Sequence, residues 1–177
     1  MALQRFVIDG YGQLELNQAA FRRNGRIEAQ CAIAEGIDFI ENGMLLAVNN
    51  VKRVVEKVGE GGVYPIALHY SSEHMYDERA NALKDFKLDK DTYLPRMGYL
   101  GAGDKYTTNC LAYDDAKYAT EALLKTAIEG VATKPLYAHV CANGAHLIND
   151  VADKAVAIVL GATTMPDGQY AVKFQAL

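Results

Sequence analysis

The chain has 177 residues, of which 50% are hydrophobic and 23% are charged, with 15 glycines and only 4 prolines. This length suits a single domain that buries roughly two thirds of its unfolded surface. The composition excludes collagen-like, low-complexity and wholly disordered chains. The N-terminus lacks the apolar core of a secretion signal, and no apolar run reaches the roughly 20 residues of a membrane-spanning helix. We therefore expect a soluble protein made in the cytosol, without a membrane partner.

The charged residues are mixed along the chain and give a formal net charge of −4. The only concentration of cations is Arg22, Arg23 and Arg26 around Asn24-Gly25, which we interpret as a solvated turn. A groove that follows a phosphate backbone needs clustered cations. Nucleic-acid binding is therefore disfavoured as the main function.

Short apolar runs separated by turn dipeptides indicate a β protein from the first residues onward. The dipeptides are those that supply positive φ in tight turns. They are Asp9-Gly10, Asn24-Gly25, Asn42-Gly43, Asn143-Gly144 and Asp167-Gly168.

The N-terminal part is predicted to contain a hairpin and then a meander. The first turn dipeptide predicts a hairpin between 5–8 and 13–16. Residues 21–33 could form a helix rather than strands, because the nearby alanines favour a helix. From 39 to 58 the pattern predicts a meander of short strands.

Gly59 to Gly62 is the predicted internal linker, because glycine loses the most conformational entropy on ordering. It divides an N-terminal hairpin or arm region, 1–58, from a β-rich core, 63–177. Two helices are predicted in the core, near 73–86 after a cap at Ser71 or Ser72, and near 116–128 after a cap at Asp114 or Asp115. The remaining predicted core elements are strands over 63–70, 93–100 and 105–113, a glycine-rich turn at 101–104, and hairpins joining 136–141 to 145–148 and 155–160 to 170–174.

The predicted fold is thus mainly β with one or two short α-helices, an α+β arrangement. Its core is expected to be a β-barrel or a sandwich, with a possible N-terminal arm.

We predict no catalytic, cofactor-binding or metal-binding residue, because the patterns expected of a nucleotide site, a serine nucleophile and a metal site are each incomplete. The glycines at 98, 101 and 103 match no nucleotide fingerprint and are interpreted as a tight turn. There is no GxSxG elbow around the two serines, and helix capping accounts for at least one of them. Two loose groups of metal-ligand types lack a third and fourth ligand at convincing spacing; they are His69, Glu73 and His74, and His139, Cys141 and His146.

The three cysteines, Cys31, Cys110 and Cys141, are far apart in sequence. Their spacing excludes a CxxC pair and an even-numbered disulfide framework. We expect small buried side chains in a reducing compartment.

Three segments of the chain resemble small virion proteins that tailed bacteriophages encode beside the major capsid protein. They are Phe39-Ile-Glu-Asn-Gly-Met-Leu-Leu-Ala-Val48, His69-Tyr-Ser-Ser-Glu-His-Met-Tyr-Asp-Glu-Arg79 with Ala82-Leu-Lys-Asp-Phe86, and Leu94-Pro-Arg-Met-Gly-Tyr-Leu-Gly-Ala-Gly-Asp-Lys-Tyr-Thr-Thr-Asn109. The run Gly103-Asp-Lys-Tyr-Thr-Thr-Asn109 resembles the β-turn and strand of head decoration proteins, which sit on the shell without catalysing a reaction.

The resemblance implies a noncatalytic capsid decoration (cement) protein on the virion surface, assembled in the host cytoplasm. The expected partners are the major capsid protein and further copies of this chain, with a trimer suggested by shell symmetry. A tail or head-to-tail connector protein is the nearest alternative. A small-ligand-binding protein or enzyme is the alternative of another class, and convergence of two histidines and a cysteine in a cavity would favour it.

Overall fold

The computed structural model describes residues 3–59, 64–71 and 83–177, and within them the chain is mainly β with one α-helix, as predicted. No helix of these ranges is long and apolar enough to cross a membrane. The strands are β1 (Leu3–Arg5), β2 (Leu14–Glu15), β3 (Ile27–Glu28), β4 (Ala32–Ile33), β5 (Phe39–Ile40), β6 (Leu45–Asn49), β7 (Val54–Glu56), β8 (Ile66–His69), β9 (Leu88–Asp89), β10 (Met97–Gly98), β11 (Lys105–Thr108), β12 (Leu111–Asp114), β13 (Tyr137–Val140), β14 (His146–Asn149), β15 (Ala157–Thr164) and β16 (Tyr170–Ala176).

The largest sheet closes into a barrel. Its eight strands lie in the order β1-β12-β14-β13-β15-β16-β11-β2. Although β11 and β12 are near opposite ends of this order, only Asn109 and Cys110 separate them in the chain. The β11–β12 segment therefore joins the two ends of the sheet into a ring with β14, β13, β15 and β16. Tyr106, Leu111 and Phe174 are fully buried in its core.

A second sheet of six strands, β3-β10-β8-β6-β7-β4, packs beside a two-stranded sheet, β5-β9. Their shared core includes Ile40, Leu46, Val55 and Met97. All three sheets contain strands from both sides of the predicted linker, since β1 pairs with β12, β3 with β10, and β5 with β9. Residues 60–63, most of that linker, lie outside the described residues.

The turn dipeptides behave as predicted, but not all of them connect hairpins. Their five glycines have φ between 67° and 86°. The β6–β7, β13–β14 and β15–β16 hairpins are confirmed. The predicted meander over 39–58 is wrong at its first strand, because β5 pairs with β9 in a separate sheet rather than with β6. The predicted N-terminal hairpin is wrong, because β1 pairs with β12 and β2 with β11. Residues 21–33 contain a turn followed by β3 and β4 rather than a helix.

The one described helix, α1 (Glu121–Glu129), begins five residues later than predicted and buries Leu124 and Ile128. Thr120 is its N-cap, with the Thr120 side chain accepting a hydrogen bond from the Leu123 backbone amide. The predicted caps at Asp114 and Asp115 are wrong. Asp114 ends β12, and its carboxylate accepts from Ala116 N at 3.0 Å, which forms a local turn instead.

The other predicted helix, near 73–86, lies mostly outside the described residues. Of its range the structure describes residues 83–86, where Leu83–Asp85 form a short 3₁₀ helix.

Candidate functional site

A buried ion pair joins the N-terminal strand to the turn that precedes β6. The Glu41 side chain is only 3% exposed, whereas that of Arg5 on β1 is 35% exposed. Both terminal nitrogens of the Arg5 guanidinium donate to the Glu41 carboxylate, with Nη1 at 2.7 Å from Oε1. The Gly12 amide donates to the same carboxylate. Hydrogen bonding to Glu41 raises the pKa of Arg5, so the guanidinium keeps its positive charge.

The backbone of Glu41 also orients a buried histidine at the end of β8. His69 Nδ1 lies 2.8 Å from the Glu41 carbonyl oxygen, and His69 Nε2 lies 2.7 Å from Ser71 Oγ. A carbonyl oxygen can only accept, so Nδ1 carries the proton and Nε2 accepts from the Ser71 hydroxyl. Burial lowers the pKa of His69 to about 4. The imidazole is therefore neutral at pH 7 and is placed to accept a proton.

Ser71, which is hydrogen-bonded to His69, also lines a cavity. The cavity has a volume of about 560 Å³, which falls in the range of small-molecule pockets. Its lining residues are mainly apolar: Ser71, Phe86, Leu88, Tyr93, Leu94 and Arg96. The Arg96 amide donates to Ser71 Oγ at 2.9 Å, next to the Tyr70 N to Arg96 O bond that extends the pairing of β8 with β10. The hydroxyl thus has a structural role, and it also has the serine–histidine contact of an activated nucleophile.

A second buried histidine lies inside the barrel, away from that cavity. His146 Nδ1 donates to the Cys110 carbonyl at 3.2 Å, and Tyr106 Oη donates to His146 Nε2 at 2.9 Å. Phe174 stacks on the His146 ring with 4.9 Å between ring centroids. Burial lowers the pKa of His146 to about 4 and raises that of Tyr106. All polar atoms of the His146 ring are therefore used by the fold.

The candidate metal ligands that lie within the described residues do not come together. His69 and His146 belong to separate networks, and His139 Nε2 donates to the Val151 carbonyl at 2.8 Å. Glu73 and His74 lie outside the described residues. Among the residues that are described, no three His, Cys, Asp or Glu side chains form a group that could hold a metal ion.

The three cysteines are free and buried, as predicted. Cys110 and Cys141 flank Ala145 on neighbouring strands, because Cys141 N donates to Ala145 O and His146 N donates to Cys110 O. The two side chains belong to one small buried cluster with Ala112 and Ala145, and both thiols are free. Burial raises the pKa of the Cys110 thiol to about 12, so it is not a ready nucleophile.

The glycine-rich segment at 101–104 forms the predicted tight turn. Asp104 N donates to Gly101 O at 2.9 Å, and β11 follows directly. The Asp104 carboxylate accepts from Ala20 N at 2.9 Å, Gly101 N at 2.8 Å and Arg26 Nη2 at 3.2 Å. The chain's own carboxylate thus occupies donors that an anionic ligand would need.

Sequence reasoning missed the network of Arg5, Glu41, His69 and Ser71. Arg5 and Glu41 are 36 residues apart, and His69 is 28 residues from its Glu41 partner. The local signal was limited to the spacing of His69 and Ser71, which places two polar side chains on the same face of a strand.

Comparisons with protein-family models, with curated proteins and with solved structures find no match to this chain. Function is therefore inferred from the residues and their geometry.

Proposed function

We propose that the chain is a noncatalytic structural protein of a tailed-phage virion, a decoration (cement) protein that binds the major capsid protein and stabilises the head shell. The observation that carries the proposal is the 94–109 segment, which resembles decoration proteins in sequence. It supplies β10, the Asp104 turn and β11, and so links the six-stranded sheet to the barrel. The resemblance implies a turn followed by a strand, and residues 101–108 have that structure.

The surface offers side chains for contact with a partner. Tyr93 is 80% exposed and the adjacent Leu94 is 52% exposed, in the loop between β9 and β10. Tyrosine is enriched at protein interfaces, because its ring contributes a large apolar area and its hydroxyl stays hydrated. These two residues are our proposed contact with the capsid protein.

Because many copies of the chain would bind one capsid lattice, each single contact can be weak. Binding to several capsid chains at once converts weak single contacts into high avidity. Closed symmetric oligomers are the usual form of repeated subunits. We expect trimers at local three-fold positions, and weak binding to free capsid subunits.

The test uses expanded, undecorated capsids of the phage whose genome carries this gene. Purified protein is added, and occupancy and the resistance of the shell to heat and osmotic shock are measured. Saturable binding that raises resistance supports the proposal. Tyr93→Ser should weaken binding, whereas Val51→Ser, at another side chain that is 88% exposed, should not. No binding, with the protein found in purified tails, would instead support a tail or connector role.

A catalytic or small-ligand function is the second candidate, and one observation favours it. Ser71 Oγ contacts the neutral His69 imidazole at the wall of the 560 Å³ cavity. A fluorophosphonate probe reacts with serines that such a base activates. Labelling of the wild type that is lost in Ser71→Ala would favour a hydrolase, and the decoration proposal predicts no labelling.

A further inference from the structure

Three Asn-Gly dipeptides occur in the described turns, at Asn24, Asn42 and Asn143. Asn-Gly is chemically labile, because glycine has no Cβ to hinder attack of its backbone nitrogen on the preceding side-chain amide. The attack needs a glycine N–H that is free of a hydrogen-bond acceptor and a side chain that can rotate toward it. The three sites differ in both respects.

The fold protects Asn42 against this attack. The residue is 1% exposed. The Gly43 N–H donates to the His69 carbonyl at 2.9 Å. The nitrogen would have to lose a buried hydrogen bond before it could react.

Asn143 is exposed, but its two reacting groups are held. Asn143 Oδ1 accepts from Ala145 N at 3.0 Å, which fixes the side chain over its own turn. Gly144 is buried, and its N–H donates to the Cys141 carbonyl at 2.9 Å. Reaction here requires the β13–β14 turn to open.

The third dipeptide has neither protection. Asn24 and Gly25 are both exposed, and no atom lies within 4 Å of the place where a Cβ on Gly25 would be. The Gly25 N–H has no hydrogen-bond acceptor among the described residues. Arg22 and Arg23 are exposed beside it. Their charges favour loss of the amide proton and stabilise negative charge that develops on the attacked amide.

We propose that Asn24 is a site of spontaneous deamidation in the folded protein. A hydroxide ion removes the Gly25 N–H proton, and the nitrogen forms a bond to Asn24 Cγ. Nδ2 takes a proton from water, which regenerates hydroxide, and the bond from Cγ to Nδ2 breaks so that Nδ2 leaves as ammonia. Water then opens the resulting succinimide at either carbonyl, which gives aspartate or isoaspartate at position 24. The net reaction consumes one water and releases one ammonia.

The modification changes the only cationic cluster found in the sequence. It adds one negative charge between Arg23 and Arg26. Isoaspartate also lengthens the backbone inside a turn held by Asn24 N to Ala20 O at 3.0 Å and Arg26 N to Phe21 O at 2.9 Å. The surface around 20–26 therefore changes with the age of the protein, and this inference is independent of the proposed function.

The test compares the three sites within the same protein. Folded protein is incubated at mildly alkaline pH, digested in acid with a protease that cleaves after glutamate, and analysed by mass spectrometry with an isoaspartate assay. Cleavage after Glu15, Glu28, Glu41, Glu56 and Glu129 separates the sites into peptides 16–28, 42–56 and 130–177. Conversion in peptide 16–28 should be at least about tenfold faster than in the other two, because their reaction awaits local opening.

Two controls identify the cause. Asn24→Gln should abolish the conversion in peptide 16–28, which excludes Asn17 as its source. In denaturant the three Asn-Gly sites should convert at similar rates, because the fold no longer distinguishes them. The proposal is overturned if Asn24 is stable in the folded protein, or if Asn42 or Asn143 converts as fast there.

Discussion

At the residue scale, two buried carboxylates have partners from distant parts of the chain. Glu41 is matched by Arg5 and the Gly12 amide, and Asp104 by Arg26 and two backbone amides. A buried charge that loses its partner is costly, whereas an exposed pair contributes little. The two kinds of pair should therefore respond differently to the same substitution.

Arg5→Ala should lower the free energy of unfolding by about 2 to 3 kcal/mol, because it leaves the Glu41 carboxylate buried without its cation. Lys90→Ala is the matched control. Lys90 pairs with Glu35 at 2.6 Å, but the Glu35 side chain is 92% exposed. Its loss should leave stability almost unchanged, because an exposed ion pair is screened by solvent. Urea unfolding of both variants measures the difference, and equal effects would contradict the structural role given to Glu41.

Gly168→Val should destabilise the protein by about 1 kcal/mol or more. Gly168 has a φ of 86°, and no atom lies within 4 Å of an added Cβ, so the penalty is backbone strain rather than a clash. Gly168→Asn provides the control at the same position, because asparagine tolerates this conformation. Thermal unfolding should rank glycine and asparagine close together and valine clearly below. An unchanged melting curve for valine would argue against the turn.

At the element scale, the elements that can be predicted from the sequence are those that a short segment determines by itself. The β13–β14 and β15–β16 hairpins each have a turn dipeptide between paired apolar runs. The pairing of β1 with β12 joins residues more than 100 positions apart, and no local pattern encodes it. The Glu41 and His69 network depends on such distant pairings, which is why the sequence did not reveal it.

Helix α1 provides a test of its observed start. Thr120→Ala should lower stability by about 1 kcal/mol, because the first turn of the helix loses the acceptor that the cap provides. Thr126→Ala is the control within the same helix. Thr126 is exposed and bonds only the Ala122 carbonyl, at 3.1 Å. Alanine has the higher helix propensity, so this control should be neutral or slightly stabilising. If Thr126→Ala were the more damaging change, the cap assignment would be wrong.

At the scale of the whole molecule, two neutral histidines are buried in different parts of one fold. His69 lies at the end of β8 in the six-stranded sheet, and His146 lies in the barrel. The segment from β10 through the Asp104 turn to β11 connects these two parts. Protonation of either histidine should therefore lower the stability of the whole chain.

Stability should fall as the pH is lowered from about 6.5 toward 4. Both histidines have a pKa of about 4 in the folded protein, against an ordinary value of 6.5. Below pH 6.5 the unfolded chain binds protons that the folded chain does not, so the free energy of unfolding decreases until the folded pKa is reached. The full loss is about 3 kcal/mol for each histidine. Urea unfolding at pH 7.5, 6.0 and 5.0 measures the slope above the range where most carboxylates titrate.

Replacing one of the two buried histidines tests how much that histidine contributes to the change of unfolding free energy with pH. His69→Gln should be less stable at pH 7.5, because glutamine cannot reproduce both hydrogen bonds of the imidazole, to Glu41 O at 2.8 Å and Ser71 Oγ at 2.7 Å. Its dependence on pH in this range should nevertheless be about half that of the wild type, because His146 then remains as the one of these two buried histidines that takes up a proton on unfolding. A purely structural role for His69 would lower stability equally at every pH. A wild-type curve that is flat between pH 7.5 and 5.0 would show that the histidines are not held neutral by burial.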